Sequence, residues 1–204
     1  MSDELARGWA AFEAEDFAAS ERFFRRARSE PASMNEARVG LIFVFVRTGR
    51  FELARDECHS MRLEAQALED LQAEYAALHQ LGIVERLAGS LEAALSVFAE
   101  ERVLIARLES PPLAVSANAF EEGIIRARLG DLDGATHWLR IALESAQLAG
   151  DVTAEACALR GLGEIAANLT MRKALLMQSA AAFERAGDRF AVQEVRALLE
   201  VELN

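Results

Sequence analysis

Residues that interrupt helices or favour strands are scarce in this 204-residue chain, which has only 3 prolines and 12 glycines. Valine, isoleucine and threonine together supply 22 residues, against 40 alanines and 27 leucines. An all-β fold needs many turns and many β-branched residues, so the composition excludes it and predicts an all-α fold. With 52% hydrophobic residues the chain is not disordered, and its length is sufficient for a substantial core.

Long apolar runs and an excess of positive charge are also missing. The longest apolar stretch, Val39 to Val46, contains a glycine and is far shorter than the ~20 residues that span a bilayer. The 22 basic and 33 acidic residues give a net charge of −11, which repels nucleic acid and anionic membranes, so we expect neither as a partner. The chain opens without a secretory leader and carries two distant cysteines, Cys58 and Cys157, which favours free thiols in the cytoplasm.

Groups that could form a catalytic or metal site are equally few. The 3 histidines occur singly, and there is no His-Glu-x-x-His or Cys-x-x-Cys motif. Cys58 and His59 are sequence neighbours, which on a helix point about 100° apart and cannot act on each other as nucleophile and base. Cys58 is therefore expected to be a core residue. The sequence predicts no enzyme activity, no cofactor and no bound metal.

What the sequence does contain is an internal repeat. Four short turn segments are each followed three residues later by a small residue. The turns begin at Glu15, Gly49, Gly89 and Gly130, and the small residues are Ser20, Ala54, Ala94 and Ala135. The turns are 34 to 41 residues apart, a period typical of paired helices, and a weaker fifth copy runs from Leu169 to Ala174.

Between the turns, apolar residues recur at steps of three and four, which predicts amphipathic helices. The predicted helices are 3–14, 17–29, 32–47, 51–62, 66–87, 91–109, 112–129, 132–148, 152–168, 171–186 and 189–202. Pro31, Pro111 and Pro112 are expected to stand where helices start, and Ser110, Asp151 and Asp188 are expected to cap helix N-termini.

These residues resemble the tetratricopeptide repeat family, whose first helix reads Trp-x2-Leu-Gly-x2-Tyr, followed by a Gly-Asp-Tyr turn and an Ala-x3-Phe-x2-Ala second helix. The clearest copy contains Leu78, Leu81, Gly82, Gly89, Ser90, Leu91, Ala94 and Phe98. The first contains Gly8, Asp16, Phe17, Phe24, Ala27 and Pro31, and the fourth contains Gly123, Gly130, Asp131, Leu132, Ala135 and Ala142. The copies longer than 34 residues resemble the extended-helix branch of peptide-sensing regulators and of kinesin-light-chain and LGN scaffolds.

The resemblance implies one right-handed α-solenoid domain over residues 1–204, with about five helical hairpins and a single C-terminal helix. The repeats are placed at 1–31, 32–64, 65–110, 111–149 and 150–187, and the terminal helix at 188–204. An irregular helical bundle is the alternative. First helices of such solenoids line a concave face, and the family's groove positions fall on Trp9, Phe12, Phe43, Arg47, His79, Ile83, Arg86, Phe120, Ile124 and Arg128. Leu5, Val39 and Arg160 are further groove positions implied by the resemblance.

Aromatic and arginine side chains on one face suit a peptide that is amphipathic and acidic. Two other roles are open to these residues: the aromatics can be core residues, and the arginines can pair with acidic residues of a neighbouring repeat.

Three functions follow: a peptide- or protein-binding scaffold without catalysis, a peptide-responsive regulatory subunit, and a structural oligomerisation module. The unpaired terminal helix predicts a homodimer, because the apolar stripe of Ala191, Val195, Leu198 and Leu199 does not accommodate all of Phe190, Val192 and Val201. A monomer with this helix as a polar cap is the alternative.

Overall fold

The computed structural model describes residues 3–200 and is built of helices joined by short turns, with no strand in that range. The helices are α1 (Asp3–Glu13), α2 (Phe17–Ala27), α3 (Met34–Arg47), α4 (Phe51–Ala67), α5 (Leu71–Ala88), α6 (Leu91–Arg107), α7 (Pro112–Arg128), α8 (Leu132–Ala149), α9 (Val152–Ile165), α10 (Leu169–Ala186) and α11 (Arg189–Glu200). The predicted all-α fold is confirmed, and each predicted helix has a counterpart in the structure.

The chain forms two compact units, one ending at Val97 and the other starting at Phe98, so the division falls inside α6. In the first unit each helix from α1 to α5 packs against the next, and α3 also packs against α1 and α5. In the second unit each helix from α7 to α11 packs against the next, and α7 also contacts α9. Consecutive helices therefore pack as in an α-solenoid, with α3 adjacent to α1 and α5 in the first unit and α7 adjacent to α9 in the second.

Asp and Asn side chains start many of these helices. The residues before α2, α5, α8, α9 and α10 each accept a hydrogen bond from the backbone N–H three residues further on. The predicted caps Asp151 and Asp188 are confirmed, with bonds of 2.8 and 2.9 Å. The prediction for Ser110 is wrong: its φ is +52°, and α7 follows Pro111 with no side-chain cap. Pro111 and Pro112 stand at the start of α7 as expected, whereas the prediction for Pro31 is wrong, because it lies in a turn and α3 starts at Met34.

The boundary between α4 and α5 lies later than the sequence suggested. The predicted break at 63–65 is wrong, because α4 continues to Ala67 and the turn consists of Leu68, Glu69 and Asp70. Asp70 accepts the N–H of Ala73 at 3.0 Å and so fixes the start of α5. Glu69 has a φ of +53° and reverses the chain direction.

The core of the first unit surrounds Phe24, which is fully buried. A Cβ added to Gly8 or Gly40 would lie 2.5 Å from the Phe24 ring, so both glycines allow α1 and α3 to approach it. The second unit repeats this arrangement, with Gly123 of α7 facing Leu139 of α8. A large side chain on one helix thus fills the space left by a glycine on its neighbour.

The terminal helix α11 packs on α10 through the predicted stripe. Ala191 and Val195 are buried, and Leu198 and Leu199 are partly buried in the same cluster. Val192 is also buried, whereas Phe190 is 73% exposed. Val201 lies outside the described residues.

Candidate functional site

Three of the predicted groove residues meet in the first unit. The ring of Trp9 lies edge-on to Phe12 at 5.9 Å and to Phe43 at 6.0 Å, and the rings of Phe12 and Phe43 are 6.2 Å apart. Trp9 and Phe12 belong to α1 and Phe43 to α3, so the packing of these two helices brings the rings together. All three are half-buried, which leaves part of each ring at the surface.

Arg47 completes this group at the end of α3. Its guanidinium carbon lies 5.8 Å from the centre of the Phe12 ring and 5.2 Å from that of Phe17. Its Nη2 also donates to Glu15 at 2.9 Å, in an ion pair whose side chains are 51% and 71% exposed. Arg47 is therefore paired within the chain, but the pair is exposed to solvent. An exposed ion pair contributes little to stability, so little free energy is lost when another carboxylate replaces Glu15. We call Trp9, Phe12, Phe43 and Arg47 the aromatic patch.

The predicted residues of α5 lie half-buried on the helix next to α3. His79 stacks on Tyr75 with ring centres 5.9 Å apart. Ile83 and Arg86 follow along α5, with Arg86 in its last turn. These three residues thus belong to the same layer of odd-numbered helices as the aromatic patch.

The predicted residues of the second unit all lie on α7. Phe120 packs at the edge of a cluster formed by Ala119, Ala142 and Ala158. Ile124 approaches α9, since a Cβ on Gly161 would lie 3.5 Å from its Cδ1. Both are half-buried, whereas Arg128 is exposed at the helix end.

Of the further groove positions, Leu5 is buried and Arg160 is paired within the chain. Leu5 is 1% exposed and belongs to the core of the first unit, so its assignment to the groove is wrong. Arg160 pairs with Glu164 at 2.7 Å and with Glu194 at 2.9 Å. Arg160 is thus one of the arginines that pair with acidic residues of the chain itself, as the alternative reading of the groove expected.

Sequence reasoning missed a buried charge network in the first unit. Arg38 of α3 is 2% exposed and donates through Nε to Glu57 and through Nη1 to Glu64, each at 2.5 Å. Arg28 adds a second cation to Glu57 at 3.1 Å. The signal was an arginine directly before the apolar run of α3, together with two glutamates on α4. These glutamates are seven residues apart, a spacing that places both carboxylates on one helix face.

A second missed group lies on α6, α7 and α8 within the second unit. The Arg102 guanidinium sits 4.9 Å from the centre of the Trp138 ring and pairs with the nearly buried Glu122. Asn118 donates to Glu101 at 3.1 Å, and both side chains are buried. These polar contacts join helices that carry otherwise apolar faces, and they fix how the helices pack.

The histidines and cysteines do not assemble into reactive groups. His59 and His137 are exposed, and burial raises the pKa of the Cys58 thiol to about 12, which keeps it protonated. Burial also raises the pKa of Cys157. Within residues 3–200, no three His, Cys, Asp or Glu side chains lie close enough together to hold a metal ion.

The structure defines an all-α protein of the solenoid kind. Its fold is similar to that of a protein of known structure, BtubC (BKLC) from P. vanneervenii, with a TM-score of 0.68 at 14% sequence identity. The match covers 98% of this chain and 93% of that one, and it shows a shared fold. No protein-family model and no curated protein matches the sequence. In the described part of the chain, every helix is too short or too polar to cross a membrane.

Proposed function

We propose that this chain is a non-catalytic scaffold that binds a peptide or an extended segment of another protein. The observation that carries the proposal is the aromatic patch, where three half-buried rings from two adjacent helices lie next to an exposed arginine. Aromatic and arginine side chains are the residues that contribute most to binding at protein interfaces. The resemblance to tetratricopeptide repeats supports the same role, since their first helices form the binding face.

The proposed ligand is amphipathic and acidic. Its apolar side chains contact the exposed parts of Trp9, Phe12 and Phe43, and its carboxylate replaces Glu15 as the partner of Arg47. Free Cys58 and Cys157 support a role in the reducing cytoplasm.

Charge reversal at Arg47 tests this proposal. The probes are fluorescein-labelled decapeptide pools with a central pair of bulky apolar residues flanked by Asp and Glu, and matched pools with Ser and Gln in place of the acids. Arg47→Glu is expected to weaken binding of the acidic pool at least about threefold at low salt, because it replaces attraction by repulsion. Arg22→Glu on α2, also exposed, is the matched control. Equal anisotropy curves for the two variants would contradict the proposal.

A second candidate role is self-association through α11, and the exposed ring of Phe190 favours it. A closed two-fold pair would cover this ring on both copies. Light scattering at several concentrations is expected to give about twice the chain mass of 22.3 kDa, and Phe190→Ser is expected to return the monomer mass. A monomer mass for the unaltered chain at every concentration would refute it.

A further inference from the structure

A pocket of about 340 Å³ opens in the first unit, between the N-terminal half of α3, the end of α4 and the start of α5. Its walls are mostly apolar and include Met34, Val39, Met61 and Leu68. Leu68 is 79% exposed, although it is a large apolar residue. The volume falls within the roughly 300–1,000 Å³ typical of ligand pockets. We call this the α3–α5 pocket; it shares Val39 with the groove positions expected from the sequence.

The charged side chains that line the α3–α5 pocket are mainly acidic. They are Glu36, Glu64 and Asp70, with Arg38 as the cation. Arg38 already forms ion pairs with Glu57 and Glu64, each at 2.5 Å, and these neutralise its positive charge. Within residues 3–200 neither Glu36 nor Asp70 forms an ion pair, so the rim keeps an excess of negative charge that attracts a cation.

Arg38 also leaves hydrogen-bonding capacity unused. Its side chain is 2% exposed, its Nε and Nη1 donate to the two glutamates, and its Nη2 has no hydrogen-bond partner in the structure. A buried donor of this kind is normally satisfied. A peptide carbonyl oxygen is an acceptor that suits it and adds no negative charge to an acidic site.

We propose that the α3–α5 pocket binds a segment of a partner protein in which a bulky apolar side chain stands next to lysine or arginine. The apolar walls take the large side chain, and the flexible Met34 and Met61 adapt to its shape. The carboxylates of Glu36 and Asp70 hold the basic group, and Arg38 donates to the backbone of the segment. This site goes beyond the proposed function, because its charge preference is opposite to that of the aromatic patch.

Methionine methyl NMR locates such binding directly. The probes are decapeptide pools with a central pair drawn from Phe, Leu, Trp and Met, flanked on both sides by Lys and Arg. Matched pools carry Asp and Glu at the flanks, or Gly and Ser at the centre. The basic apolar pool is expected to shift the methyl signals of Met34 and Met61 in a saturable way, while Met171 and Met177 on α10 stay unchanged. No saturable shift, or an equal shift with either matched pool, would overturn the proposal.

Two variants leave the core intact and test the site further. Glu36→Lys is expected to weaken binding of the basic apolar pool at least about threefold at low salt. Glu92→Lys, also at an exposed position in the first turn of a helix, is expected to leave that affinity unchanged. Ala76→Trp places a large ring at the exposed side of the pocket and is expected to abolish the shifts; Ala18→Trp on α2 is its control. Equal affinities of Glu36→Lys and Glu92→Lys would overturn the proposal.

Two further arms separate the alternatives. If phenethylammonium bound as tightly as the peptide pool, the pocket would be a site for small amphiphilic cations, and the peptide proposal would be overturned. Arg47→Glu is expected to leave the methionine shifts intact, since Arg47 does not line the pocket. If Arg47→Glu loses binding of the acidic pool but keeps the methionine shifts, the aromatic patch and the α3–α5 pocket are separate sites.

Discussion

Single glycines set the distance between paired helices. A Cβ on Gly123 would lie 2.6 Å from Cγ of Leu139, closer than real Cβ atoms come to such a neighbour, and 3.2 Å from the Leu139 backbone nitrogen, which is a tight contact. Leu139 is fully buried and fills the space left by this glycine. A small residue facing a large one is what a close helix pair requires.

Gly123→Ala is therefore expected to lower the free energy of unfolding by about 1–3 kcal/mol through overpacking. Adding Leu139→Ala makes room for the new methyl group, so the double variant is expected to lose less than the sum of the two single variants. Urea unfolding of the four proteins measures both quantities. Strict additivity would show that the two side chains do not share this space.

Acid stability depends on partly buried carboxylates such as that of Glu85. The side-chain hydrogen bond from Arg55, at 2.7 Å, holds the pKa of Glu85 below its ordinary value of 4.5. A carboxyl whose pKa is lower in the folded state stabilises that state above pH 4.5, and the effect is lost as pH falls through the folded pKa.

Glu85→Gln is expected to cost about 1–3 kcal/mol at pH 7, because it leaves Arg55 without its main partner at a site that is mostly shielded from water. The difference from the unaltered protein is expected to shrink steadily below pH 4.5. Thermal unfolding from pH 7 to pH 3 measures it, with the exposed Glu92→Gln as control. A difference that stays constant over this range would contradict the assignment.

At the scale of helices, N-terminal caps decide where each element begins. The start of α5 shows what sequence reasoning overlooked: Asp70 before Leu71 repeats the pairing of Asp131 with Leu132, yet the helix-forming residues around it hid the break. Periodicity alone does not locate a turn inside such a run, because every nearby residue also tolerates a helix. The cap could have been recognised from its similarity to the other Asp starts.

Asp151→Ala removes the bond to the Ala154 N–H, 2.8 Å long, at the start of α9. We expect a loss of about 0.5–2 kcal/mol in the free energy of unfolding, as for other caps of this type. Asp56→Ala, at an exposed position inside α4, is the control and is expected to change stability little. Chemical denaturation measures both, and equal losses would argue against the cap.

At the scale of the molecule, the charge balance decides how much of the candidate site could be predicted. The resemblance to tetratricopeptide repeats placed Trp9, Phe12 and Phe43 on neighbouring first helices, and the structure brings their rings together. The sequence could not show whether the arginines are paired within the chain, because 33 acidic residues are available as partners. Arg47 and Arg160 are paired in this way.

The buried network of Arg38 was unpredictable for a related reason. Its partners Glu57 and Glu64 lie 19 and 26 residues further along the chain, so they meet it only once α3 and α4 have packed. The α3–α5 pocket likewise forms only where α3, α4 and α5 have packed together. Periodicity within one helix carries no information about such a site.

The emission of Trp9 tests the central claim, that the aromatic patch is a binding surface, most directly. Trp138→Phe leaves Trp9 as the sole tryptophan of the chain. Titration of this variant with the acidic amphipathic peptide pool is expected to change the emission of Trp9 in a saturable way. The midpoint is expected to match the anisotropy curve and to move to higher peptide concentration with salt. Unchanged emission at peptide concentrations that saturate the anisotropy signal, or no binding of the pool at all, would contradict the account.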